Sequence, residues 1–243
     1  MTDTEFDVAV VGGGVAGRSA AIFTARHDLE TLVLDAGSPL LRRNAHLENY
    51  PGFPAGIDAR FLLDAMADDA ETAGATVHEA RVTAVERDDD GFLIDTAAGE
   101  RYVATRVVAA TKNATDYLAD LDGVDILDRG KTYVDADERG RTGVAGLYAA
   151  GRLAGKPHQT VVAAGHGAEV AVTLLEEADV PFYHDWVAPD GYFTGRGRDV
   201  PPGTEEIDDA ERREREREAR EWLAAAAEAP HPDTPDQHPS VEE

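Results

Sequence analysis

Gly12-Gly-Gly-Val-Ala-Gly17 is the stretch whose residue types and spacing point most directly to chemistry. Gly12 permits a tight turn from a strand into a helix. Gly14 lets the backbone approach a diphosphate, and Gly17 allows the helix to pack closely on the strand. The first N–H groups of that helix then face the anion. Asp35 closes the next apolar strand, 18 positions after Gly17, where a carboxylate accepts hydrogen bonds from the hydroxyls of an adenosine ribose. Together these residues describe a site for the adenosine-diphosphate half of a dinucleotide. They leave open whether the other half is a flavin or a nicotinamide.

Other chemistries find less support. The chain has no cysteine, which excludes a disulfide framework, a Cys-ligated zinc or iron–sulfur site, and a CxxC redox pair within it. No two of its eight histidines have ligand spacing on a helix, so no metal site is expected. There is no Gly-x-Ser-x-Gly nucleophile elbow, and no residue stands out as a catalytic acid, base or nucleophile.

The glycine loop needs a strand before it and a helix after it, and the pattern supplies both. Phe6–Val11 is a continuous apolar run, as expected of a buried parallel strand. A helix is predicted over 15–27, rich in Ala, Gly and Ser, and a second strand over 31–34. This is a βαβ unit of the usual size. Asp58 is placed to cap a helix reaching Ala73, with Gly74 just beyond its end. Strands are expected over 77–86 and 92–96 around an Asp89-Asp90-Gly91 hairpin turn, and again over 102–110. A further strand is expected at 146–150 and a helix over 160–178.

After residue 180 the character changes. Residues 181–207 are aromatic-rich and without a clear period. Residues 208–229 read as a charged helix with Asp208/Arg212, Asp209/Arg213, Glu211/Arg215 and Glu216/Arg220 at i,i+4. Residues 230–243, rich in proline and polar side chains, read as a disordered tail. The expected organisation is therefore a nucleotide-binding domain over 1–180 followed by these three segments.

The net charge is −25, from 48 acidic against 23 basic residues, and only Lys112, Lys131 and Lys156 are lysines. Such a surface repels nucleic acid and anionic membranes. Its excess is spread along the chain, as expected for solubility in a salt-rich cytoplasm. No apolar run has the roughly 18–20 residues of a membrane span, and the acidic N-terminus lacks a signal peptide's basic region. A cytoplasmic location is expected.

From Phe6 to about Leu175 the chain resembles the FAD domain of the thioredoxin-reductase-like pyridine nucleotide–disulfide oxidoreductases. The resemblance rests on the glycine loop, Glu48-Asn-Tyr-Pro-Gly-Phe53, Val107-Val-Ala-Ala-Thr111, Thr142 with Gly146-Leu-Tyr-Ala-Ala-Gly151, and Gln159-Thr-Val-Val-Ala-Ala-Gly-His-Gly-Ala168. It implies an α/β, Rossmann-like fold: a parallel sheet flanked by helices, a small β insertion near 77–103, and the charged C-terminal helix appended. It implies FAD as cofactor, held by Gly12, Gly13, Gly14, Val15, Ala16, Gly17, Asp35, Ala36, Asn49, Val82, Ala110, Thr111, Lys112, Gly151, Arg152, His158, Gln159 and Thr160.

Three departures shape the expected function. Where the family inserts an NADPH domain that also carries its redox cysteines, only about twenty residues separate Thr111 from Lys131. The family's Ala-Thr-Gly is here Ala110-Thr111-Lys112, and its Gly-Asp is Gly151-Arg152. An aspartate at the latter position accepts from the ribityl hydroxyls; arginine only donates. Classical thioredoxin reductase activity is therefore not expected. The first reading is a flavoprotein oxidoreductase that passes electrons between a separate donor and acceptor, whether a redox partner protein or a small molecule. The alternatives are a non-catalytic dinucleotide-binding or regulatory module, and the FAD subunit of a multi-chain reductase. A homodimer is suggested only by analogy with the family and by the aromatic segment Phe182 to Phe193.

Overall fold

The computed structural model describes residues 4–88 and 91–241, so the Asp89-Asp90 part of the expected hairpin turn lies outside the described residues. The fold begins with strand β1 (Thr4–Val11), helix α1 (Val15–Ala25) and strand β2 (Thr31–Asp35). Helix α2 (Ala59–Thr72) follows, then β3 (Thr76–Glu79), β4 (Val82–Arg87), β5 (Phe92–Thr96) and β6 (Arg101–Ala109). A short hairpin, β7 (Ile126–Asp128) and β8 (Thr132–Val134), precedes β9 (Leu147–Ala149) and helix α3 (Thr160–Glu177).

The main sheet has the order β3-β2-β1-β6-β5-β4, with β9 also on β6. Strands β3, β2, β1, β6 and β9 run parallel, while β4 and β5 are antiparallel. The long β6 makes this possible. Its first half, from Arg101, pairs with β5, and its last three residues pair with β9. This is the α/β Rossmann-like architecture implied by the resemblance.

The stretch 77–86, read as one strand, is two. Residues 80 and 81 interrupt it, and β3 pairs with β2 while β4 pairs with β5. Alternating apolarity looks the same on either side of a two-residue break, so the pattern could not show that the chain changes partners there.

Side-chain alternation on β1 sorts the two faces. Ala9 and Val11 join Leu32, Leu34, Val85, Phe92, Ile94 and Val107 in the main core, beneath the antiparallel strands. Val10 faces the helices, where a methyl group added to Gly17 would meet its Cγ1 at 3.1 Å. Helix α2 seals a second core through Leu62, Leu63 and Met66 against Val15 and Leu47. Asp58 caps it as predicted, accepting from the N–H groups of Arg60 at 2.8 Å and Phe61 at 3.1 Å. Gly74 follows with a left-handed φ of +107°.

The described chain forms two compact units, one within residues 1–177 and 233–243, the other Ala178–Pro232. In the second, the aromatic segment contains a parallel pair, β10 (Trp186–Pro189) and β11 (Thr204–Ile207), followed by α4 (Asp209–Ala226). Trp186, Tyr192 and Phe193 pack edge to face, and the Glu206 carboxylate accepts from the Gly191, Phe193 and Thr194 N–H groups. No residue of α4 is buried. Its ion pairs include Asp209–Arg213 and Glu211–Arg215, while Asp208 caps the helix instead of pairing with Arg212. In the segment read as a disordered tail, Asp233 ion-pairs with Arg42 and the Asp236 N–H donates to the Arg42 carbonyl. Among the described residues no helix is long and apolar enough to cross a membrane.

Candidate functional site

A cleft of about 600 Å³ opens where the parallel strands end. This is the expected place for a ligand in an open α/β sheet. It is lined by Gly12, Gly13, Gly14, Val15, Ala16, Asp35, Ala36, Asn49, Ala110, Thr111, Lys112, Arg152, His158, Gln159 and Thr160. Three residues named from the sequence lie outside it. Gly17 and Gly151 are buried behind the lining. Val82 belongs to β4 and packs on the main core, and its neighbour Arg81 lines the cleft instead.

Each glycine of the loop has its own constraint. Gly12 has φ +114°, and a Cβ there would meet the Ala110 carbonyl oxygen at 2.7 Å. At Gly17 a Cβ would lie 1.9 Å from the Gly12 oxygen. Gly14 is different: it is the N-cap of α1, in extended conformation, and a Cβ there would meet nothing within 4 Å. That open space, in front of the free N–H groups of α1, is a cradle a side chain would fill. It fits a diphosphate.

Gly13 serves the carboxylate. A Cβ on it would fall 2.2 Å from Asp35 Oδ2. Asp35 Oδ1 accepts from the Gly37 N–H at 3.0 Å, and Oδ2 accepts from Arg18 Nη2 at 3.2 Å. Arg18 is itself buried and also donates to the Leu63 carbonyl. The Asp35 carboxylate is thus locked from beneath by an arginine on α1. Arg18 was not singled out from the sequence. The available signal was a charged residue at the second turn of an otherwise small-residue helix.

At the other end, α3 crosses α1 so closely that a Cβ on Gly167 would meet the Ala16 carbonyl oxygen at 2.1 Å. Asn49 Nδ2 donates to Gln159 Oε1 at 2.9 Å, tying the 47–57 loop to the start of α3. Among the described residues no group of three or more His, Asp or Glu side chains is arranged to hold a metal ion.

Comparison with known proteins agrees with this geometry. Residues 7–48 match the family described as an FAD binding domain. A thioredoxin reductase of Treponema pallidum (strain Nichols) is 37% identical over 113 residues, covering 45% of this chain and 36% of that relative. That of Rickettsia typhi (strain ATCC VR-144 / Wilmington) is 32% identical over 113 residues, 46% of this chain and 36% of the relative. The chain is thioredoxin-reductase-like over this stretch, and residues 7–48 carry the match to an FAD binding domain. It spans little more than a third of the length of these curated relatives, at 36% of each. A solved thioredoxin reductase from Gloeobacter violaceus shares the fold, with a TM-score of 0.67 and 20% identity over 75% of this chain and 100% of that one.

The two departures from the family pattern, Lys112 and Arg152, have distinct structural settings. Lys112 occupies the left-handed region, φ +65°, where the family's glycine is unstrained and another residue costs about 1–2 kcal/mol. Arg152 Nε donates to Asn113 Oδ1 at 3.2 Å, and its guanidinium lies 5.9 Å from the Tyr133 ring centroid. Asn113 is a hub missed at the sequence level. Its Nδ2 also donates to the Thr132 carbonyl at 2.8 Å, which joins the segment after β6 to β8. Nothing marked it as special, because its partners come from 19 and 39 residues away.

Of the three histidines in or beside the segments that carry the family resemblance, His46 is exposed beside Glu48, His158 lines the cleft, and His166 is buried. His166 Nδ1 accepts from the Gly151 N–H at 2.9 Å, which holds the turn carrying Arg152. Burial, reinforced by Lys156, pushes the His166 pKa below its usual 6.5. The folded protein therefore favours neutral imidazole. This contribution is complete above pH 6.5 and is lost as pH falls below it, because the unfolded chain takes up the proton first. Between pH 7.5 and 5.5, thermal unfolding should show stability falling by up to about 1.4 kcal/mol per pH unit from this group. His166→Gln should flatten that slope; an unchanged slope would assign the loss to other groups.

Proposed function

We propose that the first unit binds FAD across the cleft and that the chain works as an FAD-dependent oxidoreductase exchanging electrons with a separate donor and acceptor. The observation that carries this reading is the open cradle at Gly14, where no side chain intrudes, set before the free N–H groups of α1 and flanked by the Arg18-locked carboxylate of Asp35. When bound, FAD supplies the redox chemistry through its isoalloxazine ring. The protein's part is to hold the diphosphate at α1, orient the ribose at Asp35, and seat the ring end against the start of α3. A separate donor is proposed because the segment from Ala110 to Lys131 is short and forms only turns, one 3-10 turn at Asp116–Leu118 and strand β7. A separate acceptor is proposed because the chain has no cysteine.

Purified in high salt, the protein should show a flavin absorption spectrum or take up added FAD stoichiometrically. NADPH alone should leave the flavin oxidised, and bleaching should require a second component. A colourless protein that refuses added FAD would favour the non-catalytic module suggested by Lys112 and Arg152. Bleaching by NADPH with the lone chain would contradict the separate donor.

A further inference from the structure

The cleft reverses the charge of the molecule. The chain carries 48 acidic and 23 basic residues, yet Arg43, Arg81, Lys112 and Arg152 line the cleft against the single carboxylate of Asp35. Arg43, Lys112 and Arg152 share this lining, and Lys131 lies near enough to Lys112 to repel its charge. The Lys112 pKa is lowered by burial first, and then by Lys131, Arg43 and Arg152. His158 is lowered by burial and by Arg152, Lys112 and Lys131. Among the described residues none of the four cations makes an ion pair, and Arg152's own partners, Asn113 and Tyr133, are neutral.

Sheet order separates Arg152 from the Asp35 end of the cleft. Asp35 ends β2 and Arg152 follows β9, with β1 and β6 between them. Three strand spacings place these two strand ends about 14 Å apart. The diphosphate cradle at the end of β1 lies between them and already has the N–H groups of α1. The Lys112 backbone is also held in a costly conformation at a position where glycine would be unstrained. Strain of that kind persists where a side chain is needed.

We propose that Arg43, Lys112, Lys131 and Arg152 form a receptor for a small molecule bearing carboxylate or phosphate oxygens, beside the flavin half of the cleft and distinct from the diphosphate cradle. This rests on the FAD reading and names the substrate class for it: a small organic anion rather than a protein disulfide. The −25 charge of the chain repels acidic partners at long range, so a recessed cationic pocket is the feature that lets an anion settle close to the ring. Asn113 is a positioning residue, holding Arg152 and the β8 strand beside Lys131 together.

The test is titration of the FAD-loaded protein with inorganic phosphate and, separately, malonate, at constant ionic strength, reading the flavin difference spectrum. At least one should give a saturable change; which one does identifies the oxyanion. Lys131→Met, at a residue outside the cleft lining, should weaken that binding tenfold or more while FAD affinity moves less than threefold. Asn113→Ala, which removes no charge, should weaken the anion by threefold or more. Absence of any saturable response overturns the proposal. So does a loss of FAD affinity in Lys131→Met equal to the loss of anion binding, because the cations would then serve the diphosphate. If the protein fails to bind FAD, the flavoprotein reading falls. The cation site is then judged on the FAD-free protein by whether phosphate or malonate raises its unfolding temperature in a Lys112-dependent way.

Discussion

Gly14→Asp is expected to abolish FAD binding while leaving the FAD-free protein as stable as before. Aspartate is among the preferred helix N-cap residues, and replacing glycine there gains a few tenths of a kcal/mol. Residue 14 has φ −78° and ψ −178°, extended backbone any residue adopts, and its side chain would enter open space. That space is the proposed seat of the diphosphate. The new carboxylate would cap the N–H groups the cofactor needs and repel its charge. Losing two charge-assisted hydrogen bonds at about 1.5–3 kcal/mol each corresponds to a hundredfold weakening or more. Gly17→Ala makes the contrast. Its Cβ would fall 1.9 Å from the Gly12 carbonyl oxygen, so helix and loop must separate. Overpacking of this kind costs about 1–3 kcal/mol, or several degrees of unfolding temperature at about 2–4 °C per kcal/mol. FAD titration and thermal unfolding on both variants check the pair. Full FAD binding by Gly14→Asp would remove the diphosphate from this cradle.

Asp35→Ala should be the most damaging single change to both stability and binding. It strips Arg18 of its carboxylate while leaving the guanidinium buried, with side chains only 10% and 14% exposed in the pair. Breaking a buried pair from one side costs about 3–5 kcal/mol. Arg18 keeps its bond to the Leu63 carbonyl, which places the expected loss at the lower end, about 3 kcal/mol. The Gly37 N–H also loses its acceptor. Adding Arg18→Leu to Asp35→Ala should restore much of the stability, because no orphaned charge remains, but none of the FAD affinity. Denaturant unfolding and FAD titration on the single and double variants separate the two effects. Recovery of FAD binding in the double variant would show that Asp35 acts only as the partner of Arg18.

The exposed helix α4 and the aromatic cluster of Trp186, Tyr192 and Phe193 belong to the second unit and contribute nothing to the cleft lining. The chemistry argued above lives in the first unit.

The sequence alone determined the βαβ core, because its signals are local. A strand, a glycine turn and a capped helix are each legible over a few residues, and Gly12, Gly14, Gly17 and Asp35 fall within one such unit. Asp58 and Gly74, bounding α2, were legible for the same reason. The segments flanking the flavin were found by resemblance to a family, not by spacing. Tertiary structure decided what depends on distant pairing. It split 77–86 into two strands with different partners, because periodicity carries no information about which edge a strand joins. It seated Asp35 on Gly13 and Arg18, and it gathered Arg43, Lys112, Lys131 and Arg152 from four separate segments. Charge repulsion and ion pairing act through space, so a cluster of cations in an acidic chain becomes visible only once the strands that carry them lie side by side.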